Sequence, residues 1–229
     1  MPLRTKLYLW AIIATSSLFI VGLSPTSANA SVKVLQPGPE QGKDAQIVSN
    51  QPDTRFGLNP SLIQNWENAR VVGLIEFDLT SIPAGATVHA ATLSLYQKYN
   101  DLFGETYDVL RITSFWDQAV TFNTAPTFDP IPRSSLTIGD HGGEVFRSWD
   151  VTNLVAEWHL GTVSNFGMWI EKGTGTTYFS SSNATAAERP MLTISYSTVP
   201  EPTSLAACSV LAIGVFGVSI RRRNTSSHV

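Results

Sequence analysis

The chain has 229 residues, 14% of them charged, a formal net charge of −3 and one cysteine. That length holds one domain with appendages. The mild negative charge argues against nucleic acid as a partner, which asks for a basic face, and a lone cysteine excludes an internal disulfide.

Taken in chain order, residues 1–30 carry a basic start (Arg4, Lys6), an apolar run from Leu7 to Leu23 and small residues ending in Ala28-Asn29-Ala30. That layout predicts a signal peptide with an A-x-A cleavage site, in preference to a retained N-terminal anchor. The mature domain is expected over residues 31–198. Its stability must come from core packing, since the sole cysteine, Cys208, lies beyond it.

Within that domain, residues 71–78, 91–96, 108–113 and 191–196 alternate apolar with polar side chains at period two, the pattern of half-buried strands. Turn signals stand between them at Ile82-Pro83-Ala84-Gly85, at residues 139–143 and at Gly173-Thr174-Gly175. Many short strands, frequent turns and no long helical pattern predict an all-β, two-sheet antiparallel sandwich. One segment departs from this. Val151, Leu154, Val155 and Trp158 fall at helical spacing after Asp150, which predicts a short helix that Asp150 caps and Trp158 anchors in the core. Trp116, Trp149 and Trp169 lie in or beside strand patterns and are expected to fill the space between the sheets.

Two connections mix aromatic and polar residues as saccharide sites do, because sugar C–H faces pack on rings while hydroxyls need partners. In residues 61–70, Trp66 stands between Asn65 and Glu67, followed by Arg70; in residues 98–105 come Lys98, Tyr99 and Asp101. These five residues are the candidate ligand contacts, with Arg70 and Lys98 available to an acidic polymer. Catalysis has little support. Glu76 and Asp78 share a strand face but read as solvated surface, no nucleophile elbow accompanies His89, His141 or His159, and no H-E-x-x-H occurs. No catalytic residue is assigned. Asp78 and Asp150 end strands beside turns, where accepting backbone N–H bonds is favoured over ligating calcium. No cofactor is expected, and a structural calcium is left open.

Beyond Thr198 come Pro200-Glu201-Pro202, then eighteen uncharged residues from Thr203 to Ile220, then Arg221, Arg222 and Arg223. The apolar run is near the lower limit for a spanning helix, and the arginines hold its end in the cytoplasm, which puts the domain across the inner membrane. The prolines give a stiff, non-helical joint. Residues 199–229 thus read as a sorting tail, and Val199–Arg223 closely resembles the PEP-CTERM signal of Gram-negative bacteria. The resemblance implies an exosortase, an integral-membrane cysteine protease, as processing partner, with transient membrane contact through the tail; a plain single-span anchor is the alternative.

A second resemblance covers about Val34 to Tyr196. Phe77-Asp78-Leu79-Thr80-Ser81-Ile82-Pro83-Ala84-Gly85-Ala86-Thr87-Val88, continued by residues 91–96, resembles the signature of the DNRLRE domain family. Trp116, residues 120–126, Asp150-Val151-Thr152 with Trp158, Asn165-Phe166-Gly167 and residues 189–196 follow in that family's order. The stretch around Asp44-Ala45 and Gln51–Gly57 matches loosely, and residues 180–188 lack charges often found there. The resemblance implies a jelly-roll β-sandwich of cell-surface proteins, with some relatives binding acidic polysaccharides such as alginate. The expected protein is exported and non-catalytic, at the cell surface or in the extracellular matrix, with an extracellular polysaccharide as partner. A structural spacer without a ligand is the second reading, and a polysaccharide hydrolase or lyase the third.

Overall fold

The period-two runs form strands, most of them reaching beyond the apolar alternation because pairing with neighbours recruits polar flanks as well. The structure, a computed structural model, describes residues 29–63, 69–100, 104–139, 143–172 and 177–198. The expected leader and the sorting tail, including Pro200, Glu201, Pro202 and Arg221 to Arg223, lie outside the described residues. Among the described residues, no helix is long and apolar enough to cross a membrane.

The first sheet joins β1 (Asn29–Leu35), β11 (Met191–Thr198), β5 (Thr87–Asn100), β10 (Thr177–Ser180) and β3 (Ser61–Ile63) in that order, while β8 (Val145–Asp150) pairs with the opposite edge of β5. The second sheet runs β2 (Lys43–Val48), β4 (Val71–Glu76), β9 (Met168–Lys172), β6 (Glu105–Arg111) and β7 (Ser134–Ile138). Every pairing is antiparallel. The predicted two-sheet sandwich is therefore what the chain forms.

Between the sheets lies the main core. Leu93, Leu95, Trp149, Phe179, Leu192 and Ile194 of the first sheet meet Val71, Ile75, Tyr107, Val109, Met168 and Ile170 of the second. Trp149, 1% exposed, donates its indole N–H to the Tyr107 carbonyl at 3.0 Å, so its one polar atom is satisfied in the interior. Phe179 meets the rings of Tyr107 and Trp149 edge-on, at 5.3 and 5.7 Å between centroids, the geometry that the ring quadrupole favours.

Trp116 and Trp169 do not join this core. They pack on the outer face of the second sheet with Ala45, Ile47, Val72, Leu74, Leu110 and Ile112. The reason is parity: Met168 and Ile170 take the inner face of β9, so Trp169 must point the other way. The long excursion between β6 and β7 folds over that outer face. Phe128 stacks on Trp169 at 4.3 Å, and Trp116 donates its indole N–H to the Phe166 carbonyl at 2.7 Å. Within the excursion, Thr124 Oγ1 accepts the Thr121 N–H at 2.9 Å, the local side-chain bonding expected of residues 123–126.

The predicted helix is present as α1 (Thr152–His159) and buries Leu154, Val155 and Trp158 against the core. Its start differs from expectation. Val151, not Asp150, occupies the N-cap, and Asp150 one residue earlier accepts the Thr152 N–H at 2.9 Å and its hydroxyl at 2.6 Å.

The connections sort the molecule into two ends. β3 to β4, β5 to β6, β7 to β8 and β9 to β10 each cross between the sheets at one end, flanked by Ile63 and Ala69, Asn100 and Gly104, Gly139 and Gly143, and Lys172 and Thr177. The other end carries residues 77–86, α1 and the paired strand ends Asn29 and Thr198. β5 runs from Thr87, opposite Ser197, to Asn100, opposite Thr177, and so spans the two ends over roughly 45 Å.

Candidate functional site

Of the five candidate ligand contacts, Trp66 and Asp101 lie outside the described residues. Tyr99 is placed by its backbone in β5, opposite Tyr178 of β10 at the loop end. The two cations are fully described, and the sandwich separates them.

Arg70 enters β4 directly from the connection that bears Trp66. Its Nε and Nη2 donate to the two carboxylate oxygens of Glu171 on β9, at 2.5 and 2.7 Å. The guanidinium lies 5.5 Å from the centre of the Trp169 ring, and Trp169 Nε1 donates to Glu171 Oε2 at 2.9 Å. The bidentate bonds to Glu171 push the Arg70 pKa further up, so the charge is permanent. Glu171 takes one edge of the fork. Nη1 has no partner among the described residues, and the side chain remains 45% exposed. A partly exposed cation held in one orientation is preorganised for an oxygen-rich ligand.

The strip continues along the outer face of the second sheet. Asp108 stands opposite Glu171 and accepts from the Ser135 hydroxyl at 2.5 Å, and Thr106 and Thr137 share a hydroxyl bond at 2.8 Å. Lys98 belongs to the first sheet and pairs with Glu188 at 2.7 Å, which holds the Glu188 carboxyl below its ordinary range. Arg70 and Lys98 thus form two separate sites, each already facing a carboxylate. Sequence spacing could not show this, because Glu171 and Glu188 are about a hundred residues away from their partners.

Asp78 and Asp150 take the roles expected of them. Each accepts the N–H of the residue two further on, Thr80 at 2.8 Å and Thr152 at 2.9 Å. Among the described residues, no three His, Cys, Asp or Glu side chains gather as a metal-ion set. Glu76 is not simply solvated: Lys43 reaches it at 2.6 Å.

Two facing antiparallel sheets, one of them with a polar, arginine-bearing outer face, define an all-β sandwich domain. The sequence matches the model of carbohydrate-binding module family 96 over residues 39–196. That stretch is most of the chain, and the chain belongs to this family. A search of curated proteins returns no match. Family membership supports a carbohydrate as the partner of the sandwich.

Proposed function

We propose that this protein is exported and binds a polysaccharide, non-catalytically, across the loop end of the sandwich. Trp66 and Tyr99 supply stacking rings, Arg70 supplies the fixed charged donor, and Asp101 accepts hydroxyls. The observation that carries the reading is the orientation of Arg70: Glu171 and Trp169 hold it, with Nη1 unengaged among the described residues, shortly after Trp66 in the chain. An acidic glycan of the alginate type fits Nη1, which can donate to a uronate carboxylate. The sorting tail supports delivery to the cell surface or matrix, with an exosortase as processing partner. The chain ends leave the described domain opposite the loop end, so a tether there leaves the ligand face pointing outward.

Titration calorimetry of the full chain with alginate oligomers tests this. Trp66→Ala and Arg70→Ala are each expected to weaken binding roughly tenfold or more, about 1.4 kcal/mol per decade. A second reading, the ligandless spacer, draws on the internal pairing of both Arg70 and Lys98. Silence of the chain across acidic and neutral polymers would establish it instead. Release of reducing ends, lost with Asp78→Asn, would indicate a hydrolase or lyase.

A further inference from the structure

At the end opposite the loops, the outer face of the second sheet carries an exposed ring. Phe115 is 73% exposed, yet its strut is pinned: Thr113 N–H donates to the Thr127 carbonyl at 2.8 Å, and Thr127 N–H donates to Ser114 Oγ at 2.9 Å. Lys43 Nζ lies 5.0 Å from the centre of this ring and 4.7 Å from that of Trp116, and it also holds Glu76 at 2.6 Å. Glu76 in turn lines a cavity of about 580 Å³ shared with Asp78, Thr80, Trp158, His159 and Asn165. An exposed phenyl ring and a cleft of mixed lining, which includes two carboxylates, a hydroxyl and an amide, are therefore linked through Lys43 and Glu76.

We propose that this cleft is a second saccharide subsite, distinct from the loop end, and that it takes a neutral sugar. The ring offers a stacking face for sugar C–H bonds, and Glu76 and Asp78 accept sugar hydroxyls. Lys43 is engaged by Glu76, so the two carboxylates leave the cleft net negative and repel a uronate. β4 joins the two regions: Arg70 precedes its first residue and Glu76 is its last, which sets the subsites roughly 20 Å apart. The covering excursion with Phe128 on Trp169 lies between them. A module with one subsite for an acidic sugar and one for a neutral sugar can bridge two different polymers. Bridging rests on the proposed loop-end function, whereas the cleft subsite itself does not.

The test titrates the full chain with neutral hexasaccharides of gluco, manno, xylo and galacto configuration, and separately with hexamannuronate. At least one neutral probe is expected to bind, with a tenfold or greater loss in Phe115→Ala and in Glu76→Gln and less than a twofold change in Arg70→Ala. Because Phe115 is exposed, its removal leaves the fold intact, and an unchanged melting temperature checks this. No binding of any neutral probe, or binding that Phe115→Ala leaves within twofold, overturns the proposal. Hexamannuronate binding that is lost with Trp66→Ala but kept in Phe115→Ala speaks only to the loop end, so the two readings fail independently.

Discussion

Single positions show how closely this sandwich constrains its residues. Gly167 has φ +88, and a Cβ there would meet the Ile75 carbonyl oxygen at 2.3 Å. Gly167→Ala should destabilise by about 1–3 kcal/mol through backbone strain, with the contact adding to it, read from urea unfolding. Asp44 tests the opposite kind of constraint. It is 1% exposed, accepts the Ser182 N–H at 2.6 Å, and burial pushes its carboxyl up. A raised native value means that the folded state holds its proton more tightly than the unfolded state. This group therefore costs stability above its folded value and ceases to do so as pH falls below the unfolded value. Asp44→Asn, whose amide oxygen can still accept the Ser182 N–H, should unfold at higher urea than the wild type at pH 7, with the gap narrowing at pH 3. A variant less stable than wild type at pH 7 would refute the account.

At the scale of elements, α1 shows what periodicity conveys and what it misses. The spacing of Leu154, Val155 and Trp158 identified the helix and its buried face, because helical side chains three and four apart share a side. The cap lies one residue later than the spacing predicts, since the backbone at Val151 is not yet helical (φ −118, ψ 23) and Asp150 reaches forward to Thr152 from outside. The Thr152 hydroxyl, then its amide, hold the Asp150 carboxyl below its ordinary range. Its folded value is depressed, so the stabilisation is present above the unfolded value near 4 and is lost as pH falls through the folded one. Asp150→Asn should lower the melting temperature at pH 7 and lose that deficit in acid, which thermal melts by circular dichroism would show. Three tryptophans in or beside the strand patterns show a different limit. Strand pattern told that Trp116, Trp149 and Trp169 are buried, but only Trp149 reaches the space between the sheets. A strand covered on both faces buries both parities, and nothing local to β9 announces that the excursion from β6 to β7 will cover its outer face.

For the whole molecule, cohesion rests on two apolar layers and no cross-link. The only cysteine of the chain is Cys208, outside the domain matched to the family. Thermal unfolding of the sandwich should therefore be unmoved by dithiothreitol, within about 1 °C, whereas a shift of several degrees would reveal an intermolecular bridge that contributes to stability. The pairing of Asn29 with Thr198 closes the fold at its edge, which puts both ends of the described sandwich at the start of β5, away from its Asn100 end.

The sequence by itself determined the fold class, the helix and the turn at Pro83 and Gly85, because hydrophobic period and turn chemistry are local properties of the chain. Only the tertiary structure decided that Arg70 and Lys98 stand on different faces and answer to Glu171 and Glu188, and that Lys43 lies against both the Phe115 ring and Glu76, which lines a cleft with Asp78. Those relations join residues tens of positions apart or more. They follow from strand order and register, and no short-range pattern encodes which strand will lie beside which.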